Sequence, residues 1–133
     1  MIFVDSNIVF DIWDRDPAWF SWSQQQILNL TLLDELAINP VVYAEVSPRF
    51  NSRNRLDEAL QSFPFLLLGI PREAAFRAGL AFLQYRKQGG TKTNVLPDFF
   101  IGAHAAVLGA PLLTRDPRRY ATYFPTVRLI TPA

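Results

Sequence analysis

Ile2-Phe3-Val4-Asp5-Ser6-Asn7 opens the chain. Three apolar residues, two of them β-branched, make a short strand of the buried kind, and an acid stands at its C-terminal end. Ser6-Asn7 then starts a helix. In it Ile8, Val9, Ile12 and Trp13 recur at helical spacing, while Asn7, Asp11 and Asp14 line the opposite side. A buried strand that runs through an acid straight into a helix is the first half of a parallel α/β unit.

The same grammar repeats downstream. Asp16-Pro17, an N-cap acid followed by proline at the first helical position, predicts a helix through about Leu33. Leu36-Ala37-Ile38 is a second strand, and Asn39-Pro40 caps a helix over Val41 to Val46 that Pro48 disrupts. Arg53 to Phe63 is helical. Phe65 to Leu68 is a third buried strand, and Pro71 to Lys87 a long amphipathic helix with Phe76, Leu80 and Leu83 on its inner face. After the polar loop Gly89 to Asn94, Pro97 starts a helix through Leu108 that is apolar nearly all round and therefore central; Gly109 ends it. Pro111-Leu112-Leu113-Thr114 is a fourth strand that delivers Asp116 at its end, and Val127 to Ile130 is a fifth, at an edge. Alternating strands and helices predict an α/β fold: one domain over residues 1–133 around a mostly parallel sheet of about five strands, flanked by helices.

Composition bounds the function classes. Half of the residues are hydrophobic, enough for one core without disulfides. The absence of cysteine removes thiolate nucleophiles and Cys-based zinc sites, and the single His104 argues against a multi-histidine metal site. An acid at position 5 interrupts any signal-like apolar start, and the longest apolar runs are too short to cross a bilayer, so a soluble cytoplasmic protein with no membrane association is expected. Net charge is only +1, yet basic residues gather at Arg49/Arg53/Arg55, Arg86/Lys87/Lys92 and Arg115/Arg118/Arg119. Of these, Arg86, Lys87, Lys92, Arg115 and Arg118 are the candidates for contacting a polyanion; scattered solvated charge explains them equally well.

Four acids occupy unusual places. Asp5 and Asp116 follow buried-type runs at the sheet edge where open α/β folds form their ligand crevices. Glu45 lies within Val41-Val42-Tyr43-Ala44-Glu45-Val46, and Asp98 opens the most apolar helix. Singly, each has an ordinary explanation: a cap for Asp5, a first-turn acid for Asp98, a turn with Pro117 for Asp116, an ion pair with Arg49 for Glu45. Together they do not. Two unit charges ~4 Å apart repel by about 4 kcal/mol at an effective dielectric of 20, and four such charges form six pairs. A hard cation relieves this, and oxygen ligands without thiolate or paired histidine select Mg²⁺ or Mn²⁺. An ion so held favours phosphodiester hydrolysis. Thr114, Ser6 and Asn7 are placed to orient the carboxylates by hydrogen bonds, and Gly102, one turn after Asp98, leaves that helix face open. His104, roughly 240° around the helix from Asp98, is expected to be a packed core residue.

These residues resemble the PIN-domain ribonucleases, specifically VapC-type toxins of toxin-antitoxin pairs. The resemblance spans the chain and is carried by Ile2-Phe3-Val4-Asp5-Ser6-Asn7, by Asn39-Pro40-Val41-Val42-Tyr43-Ala44-Glu45, by Leu96-Pro97-Asp98-Phe99-Phe100-Ile101-Gly102-Ala103-His104-Ala105 and by Leu112-Leu113-Thr114-Arg115-Asp116. It implies that Asp5, Glu45, Asp98 and Asp116 are the family's acidic quartet with Thr114 assisting, that RNA is cleaved with Mg²⁺ or Mn²⁺, and that the protein forms a homodimer inhibited by a cognate antitoxin. Within it Asp5 and Asp98 are the leading metal ligands, Glu45 positions or deprotonates the attacking water, and Asp116 supports the ion or a second one. Two rivals are a PIN-like module that binds RNA or protein without cutting, and an aspartyl-phosphate phosphatase; the latter wants a second acid where Asn7 stands.

Overall fold

Where the acids lie follows from the order of the strands in the sheet. The structure, a computed structural model, describes residues 1–63 and 65–132. Among these residues the strands are β1 (Ile2–Val4), β2 (Leu36–Ile38), β3 (Phe65–Leu67), β4 (Leu112–Leu113) and β5 (Leu129–Ile130), all parallel and ordered β3-β2-β1-β4-β5. The chain runs from β1 outward to β2 and β3, then returns to the other side of β1 for β4 and β5. The direction therefore reverses between β1 and β4, and a crevice opens beyond their C-terminal ends. Register sets Val4 beside Leu113, so the next residues, Asp5 and Thr114, face each other across that crevice.

The helices are α1 (Ser6–Trp13), α2 (Phe20–Thr31), α3 (Pro40–Val46), α4 (Arg53–Gln61), α5 (Arg72–Lys87), α6 (Pro97–Leu108) and α7 (Arg118–Tyr123). Their starts are chemically explicit. Asp5 caps α1 by accepting from Ser6 N, and Asn39 caps α3 by accepting from Val41 N and Val42 N ahead of Pro40. Gly109, at φ 63°, ends α6 in the left-handed region that a side chain disfavours. Asp16 accepts from Ala18 N and Trp19 N, but this closes a turn, and α2 begins only at Phe20. No helix is long and apolar enough to cross a membrane among the described residues.

Three expectations need correction. Helix α5 turns Phe76, Leu80 and Leu83 outward, at 62%, 51% and 51% exposed, and buries Ala74, Ala78 and Ala81. The two stripes share the same spacing and lie roughly 200° apart on the helix. Alanine wins the inward position because α5 lies directly against the bulky α6, where large side chains would hold the helices apart. Second, β3 is an edge strand with Leu66 and Leu67 exposed, and so is not buried. Third, Asp11, expected on the solvent side of α1, is 2% exposed. It accepts from Ser23 Oγ at 2.7 Å and from both Nε and Nη2 of Arg115, at 2.8 and 2.9 Å.

That last contact gives Arg115 a structural task. Arg115→Ala leaves a buried carboxylate with only a hydroxyl partner, and we expect it to cost about 3 kcal/mol in thermal or urea denaturation. Weakened RNA binding at undiminished stability would return Arg115 to the surface role.

Candidate active site

Asp5 is 5% exposed and held from three sides. Its Oδ1 accepts from Ser6 N at 2.8 Å; its Oδ2 accepts from Thr114 Oγ1 at 2.9 Å and from the Tyr120 hydroxyl at 2.8 Å. Even so, burial pushes its carboxyl up to about 6, with the Asp98 charge adding to the effect and the hydrogen bonds opposing it. Thr114, fully buried, is a junction. Its hydroxyl donates to Asp5 and accepts from Asn7 Nδ2 and Asp116 N, both at 3.2 Å, while Asn7 Oδ1 accepts from Arg115 N at 3.3 Å. Ser6 Oγ lies 3.5 Å from Asp5 Oδ1.

Glu45 comes in from α3, which packs against both α1 and α6. Its Oε1 is buried without a hydrogen-bond partner among the described residues. Burial raises its carboxyl to about 7, with further upward pressure from Asp5 and Asp98 and only the Ser6 hydroxyl working the other way. The alternative pairing with Arg49 is absent, because Arg49 grips Asp14 with both terminal nitrogens. Asp98, in the first turn of α6, accepts from Arg119 Nη1 at 3.2 Å and lies 3.4 Å from the Tyr120 hydroxyl.

Asp5, Glu45 and Asp98 therefore form one electrostatic cluster, and Asp116 stands apart from it. The Asp116 side chain is 58% exposed and pairs at 3.3 Å with Arg118, itself 89% exposed. The turn through Pro117 carries it to the rim of a cavity of about 410 Å³ that Asp98 also lines. Full convergence of four acids is not observed. Nor do three of these side chains close to chelating spacing as they stand, among the described residues. Asp98 is instead held by Arg119.

The donor set nevertheless suits Mg²⁺ or Mn²⁺. All the groups are hard oxygens, and a partnerless buried Glu45 oxygen beside two further carboxylates is what such an ion would satisfy. Gly102 does not serve this site, since a Cβ there would overlap the Phe124 ring; it permits the contact between α6 and that ring. His104, 1% exposed, packs on Phe3, and its Nδ1 faces the Asn39 amide at 3.3 Å. The Asn39 oxygen is committed to two backbone N–H groups, so its Nδ2 donates and the His104 proton resides on Nε2. Burial lowers the His104 pKa, consistent with a neutral core residue.

The remaining basic candidates divide. Arg86 clips the following loop through bonds to Gly90 O and Lys92 O at 3.0 and 3.1 Å, while Lys87, Lys92 and Arg118 are exposed. Two functional contacts are missing from the sequence-based expectations. Tyr120, 1% exposed, bridges Asp5 and Asp98; burial, reinforced by their charges, holds its phenol well above the ordinary value, so it remains a donor. Arg119 holds Asp98. Helix α7, which carries both, is absent from those expectations too, although Pro117 followed by Tyr120 and Phe124 four residues apart is a legible one-turn amphipathic signal.

Fold and site define a parallel α/β domain with a carboxylate crevice at its switch point. The PIN domain family model matches residues 2–125, and the chain belongs to that family. None of the curated proteins matches it significantly. Among solved structures, VapBC2 of Rickettsia felis bound to a promoter DNA fragment is similar at TM-score 0.73 and 19% identity, covering 100% of both chains. VapBC-1 of nontypeable Haemophilus influenzae gives 0.70 and 20%, covering 98% of each chain. A toxin-antitoxin complex from Klebsiella pneumoniae gives 0.68 and 22%, covering 100% of this chain and 98% of that one. At these identities the likeness shows the fold.

Proposed function

We propose that the chain is a divalent-metal-dependent endoribonuclease, the VapC-type toxin of a toxin-antitoxin pair. The observation that carries this is the partnerless buried oxygen of Glu45 within the Asp5, Asp98 cluster: a folded protein keeps such a group where something positive is to bind. Asp5 and Asp98 would hold Mg²⁺ or Mn²⁺ with Glu45, and Asp116 would contribute from the rim. When bound, the ion supplies charge neutralisation for a phosphodiester under attack by water.

The protein's own groups do the positioning. Tyr120 and Thr114 fix the orientation of Asp5 Oδ2, and Asn7 fixes Thr114 in turn. Glu45, beside Asp5 and Asp98, is the group that would position the attacking water and take its proton. Arg118, Lys87 and Lys92 are the exposed charges available to the RNA strand. The fold shared with VapBC toxins supports an antitoxin partner, and the exposed stripe of Phe76, Leu80 and Leu83 would be the apolar surface for a homodimer. A cytoplasmic location belongs to the same proposal.

Incubation of purified protein with labelled RNA tests it. Cleavage with Mn²⁺ that chelator abolishes, and no release of phosphate from a phosphomonoester, is the expected result. Binding without cleavage favours the non-catalytic module, and phosphomonoester hydrolysis the phosphatase.

A further inference from the structure

Arg119 holds Asp98, one of the acids proposed above to bind the ion. Its Nη1 donates to Asp98 Oδ2, its side chain is 39% exposed, and its guanidinium carbon lies 5.9 and 6.0 Å from the ring centroids of Tyr85 and Phe99. Those two rings limit where the guanidinium can go. Arg119 and Asp98 both line the cavity of about 410 Å³, whose wall continues through Tyr85, Arg118 and Tyr123.

A half-exposed, single-bonded ion pair of this kind contributes little and is readily exchanged. A divalent ion brings twice the charge in a smaller volume, so it outcompetes the guanidinium for Asp98. Once displaced, Arg119 would sit close to Arg118, two cations facing one cavity. A phosphate relieves that repulsion and matches the planar donor fork of arginine. On the same wall Asp98 and Asp116 engage both arginines in ion pairs, so an ion that takes Asp98 frees Arg119 for a phosphate.

We propose that Arg119 competes with the divalent ion for Asp98 and, once displaced, binds a backbone phosphate of the RNA strand in the cavity between α5 and α7. This rests on the ribonuclease function proposed above. One residue thereby couples ion loading to substrate binding: it masks an acid in the ion-free protein and presents a phosphate site in the loaded one.

The test pairs calorimetric titration of the ion-free protein with Mn²⁺ and steady-state cleavage of a labelled oligoribonucleotide at saturating Mn²⁺. Arg119→Gln should bind Mn²⁺ about twofold to fivefold more tightly, having lost a weak competing ion pair. Its KM should rise about tenfold or more, from loss of a charge-assisted contact, with kcat changed far less. Arg119→Lys, which keeps the charge and loses the fork, should fall between. Arg72→Gln, at the far end of α5, should match the unmodified protein in both. Unchanged or weaker Mn²⁺ binding in Arg119→Gln, or an unmoved KM, overturns the assignment; loss of both properties would make Arg119 a support for Asp98 only. Should the unmodified protein neither bind Mn²⁺ nor cleave RNA, the ribonuclease function falls and takes this proposal with it. If it does both while Arg119→Gln behaves identically, only the role of Arg119 is lost.

Discussion

Asp5→Asn and Asp98→Asn should each reduce the proposed Mn²⁺-dependent RNA cleavage by about 10³-fold or more, because each removes charge from the set that would hold the ion. The two should differ in stability. Asn at position 5 keeps the cap on α1 through its oxygen, while its amide nitrogen faces the Tyr120 and Thr114 hydroxyls, which must turn their protons away. Relief from a buried charge still outweighs that rearrangement, and in chelator at pH 8 we expect a net gain of about 1–2 kcal/mol. Asp98→Asn removes the Arg119 ion pair, a half-exposed contact, and should be close to neutral. Urea denaturation in chelator checks both. A variant that keeps its cleavage rate excludes its acid from the site.

The second large effect is a reversal of pH dependence on adding metal. Asp5 and Glu45 have folded-state pKa values raised to about 6 and about 7, from 3.8 and 4.5. Between the unfolded and folded values the native protein binds more protons than the unfolded chain, so stability falls as pH rises. The loss is nil below about pH 4 and complete above about pH 7.5. For Asp5 alone the shift corresponds to about 3 kcal/mol, on the order of 10 °C in Tm for a chain of this size. Divalent ion at a hundredfold excess over its Kd returns about 2.7 kcal/mol, but only where the carboxylates are ionised. Melting curves from pH 5 to 8 should therefore fall in chelator and flatten with Mn²⁺. Parallel curves with and without Mn²⁺ would contradict an ion bound by these acids.

Much of the fold is legible in the amino-acid sequence alone. Strand-helix alternation, the Asn39-Pro40 cap, Pro97 and Gly109 each have a local cause written in adjacent residues, and the parallel sheet follows from them. Asp5 is conspicuous because an acid directly after Ile2-Phe3-Val4 has no local purpose beyond capping. What stays hidden depends on encounters between distant segments. In α5 the two apolar stripes are equally periodic, and only the proximity of α6 selects the alanines. Asp11 reads as a solvated helix acid until Arg115 and Ser23 close over it. The position of Asp116 after β4 points into the crevice, but the turn at Pro117 and the attraction of Arg118 carry it to the rim. Tyr120 lies in a helix of 6 residues whose pattern shows only that it is helical, and its importance comes from reaching Asp5 from 115 positions away.

The central claim is that Asp5, Glu45 and Asp98 share one divalent cation. Calorimetric titration of Mn²⁺ into the purified, ion-free protein at pH 7.5 addresses it without reference to activity, substrate or partner. Saturable binding that disappears in Asp5→Asn and in Asp98→Asn and weakens at least tenfold in Glu45→Gln is the predicted outcome. Saturable binding left intact by all three substitutions, or none in the unmodified protein, would show that these acids are not a metal site.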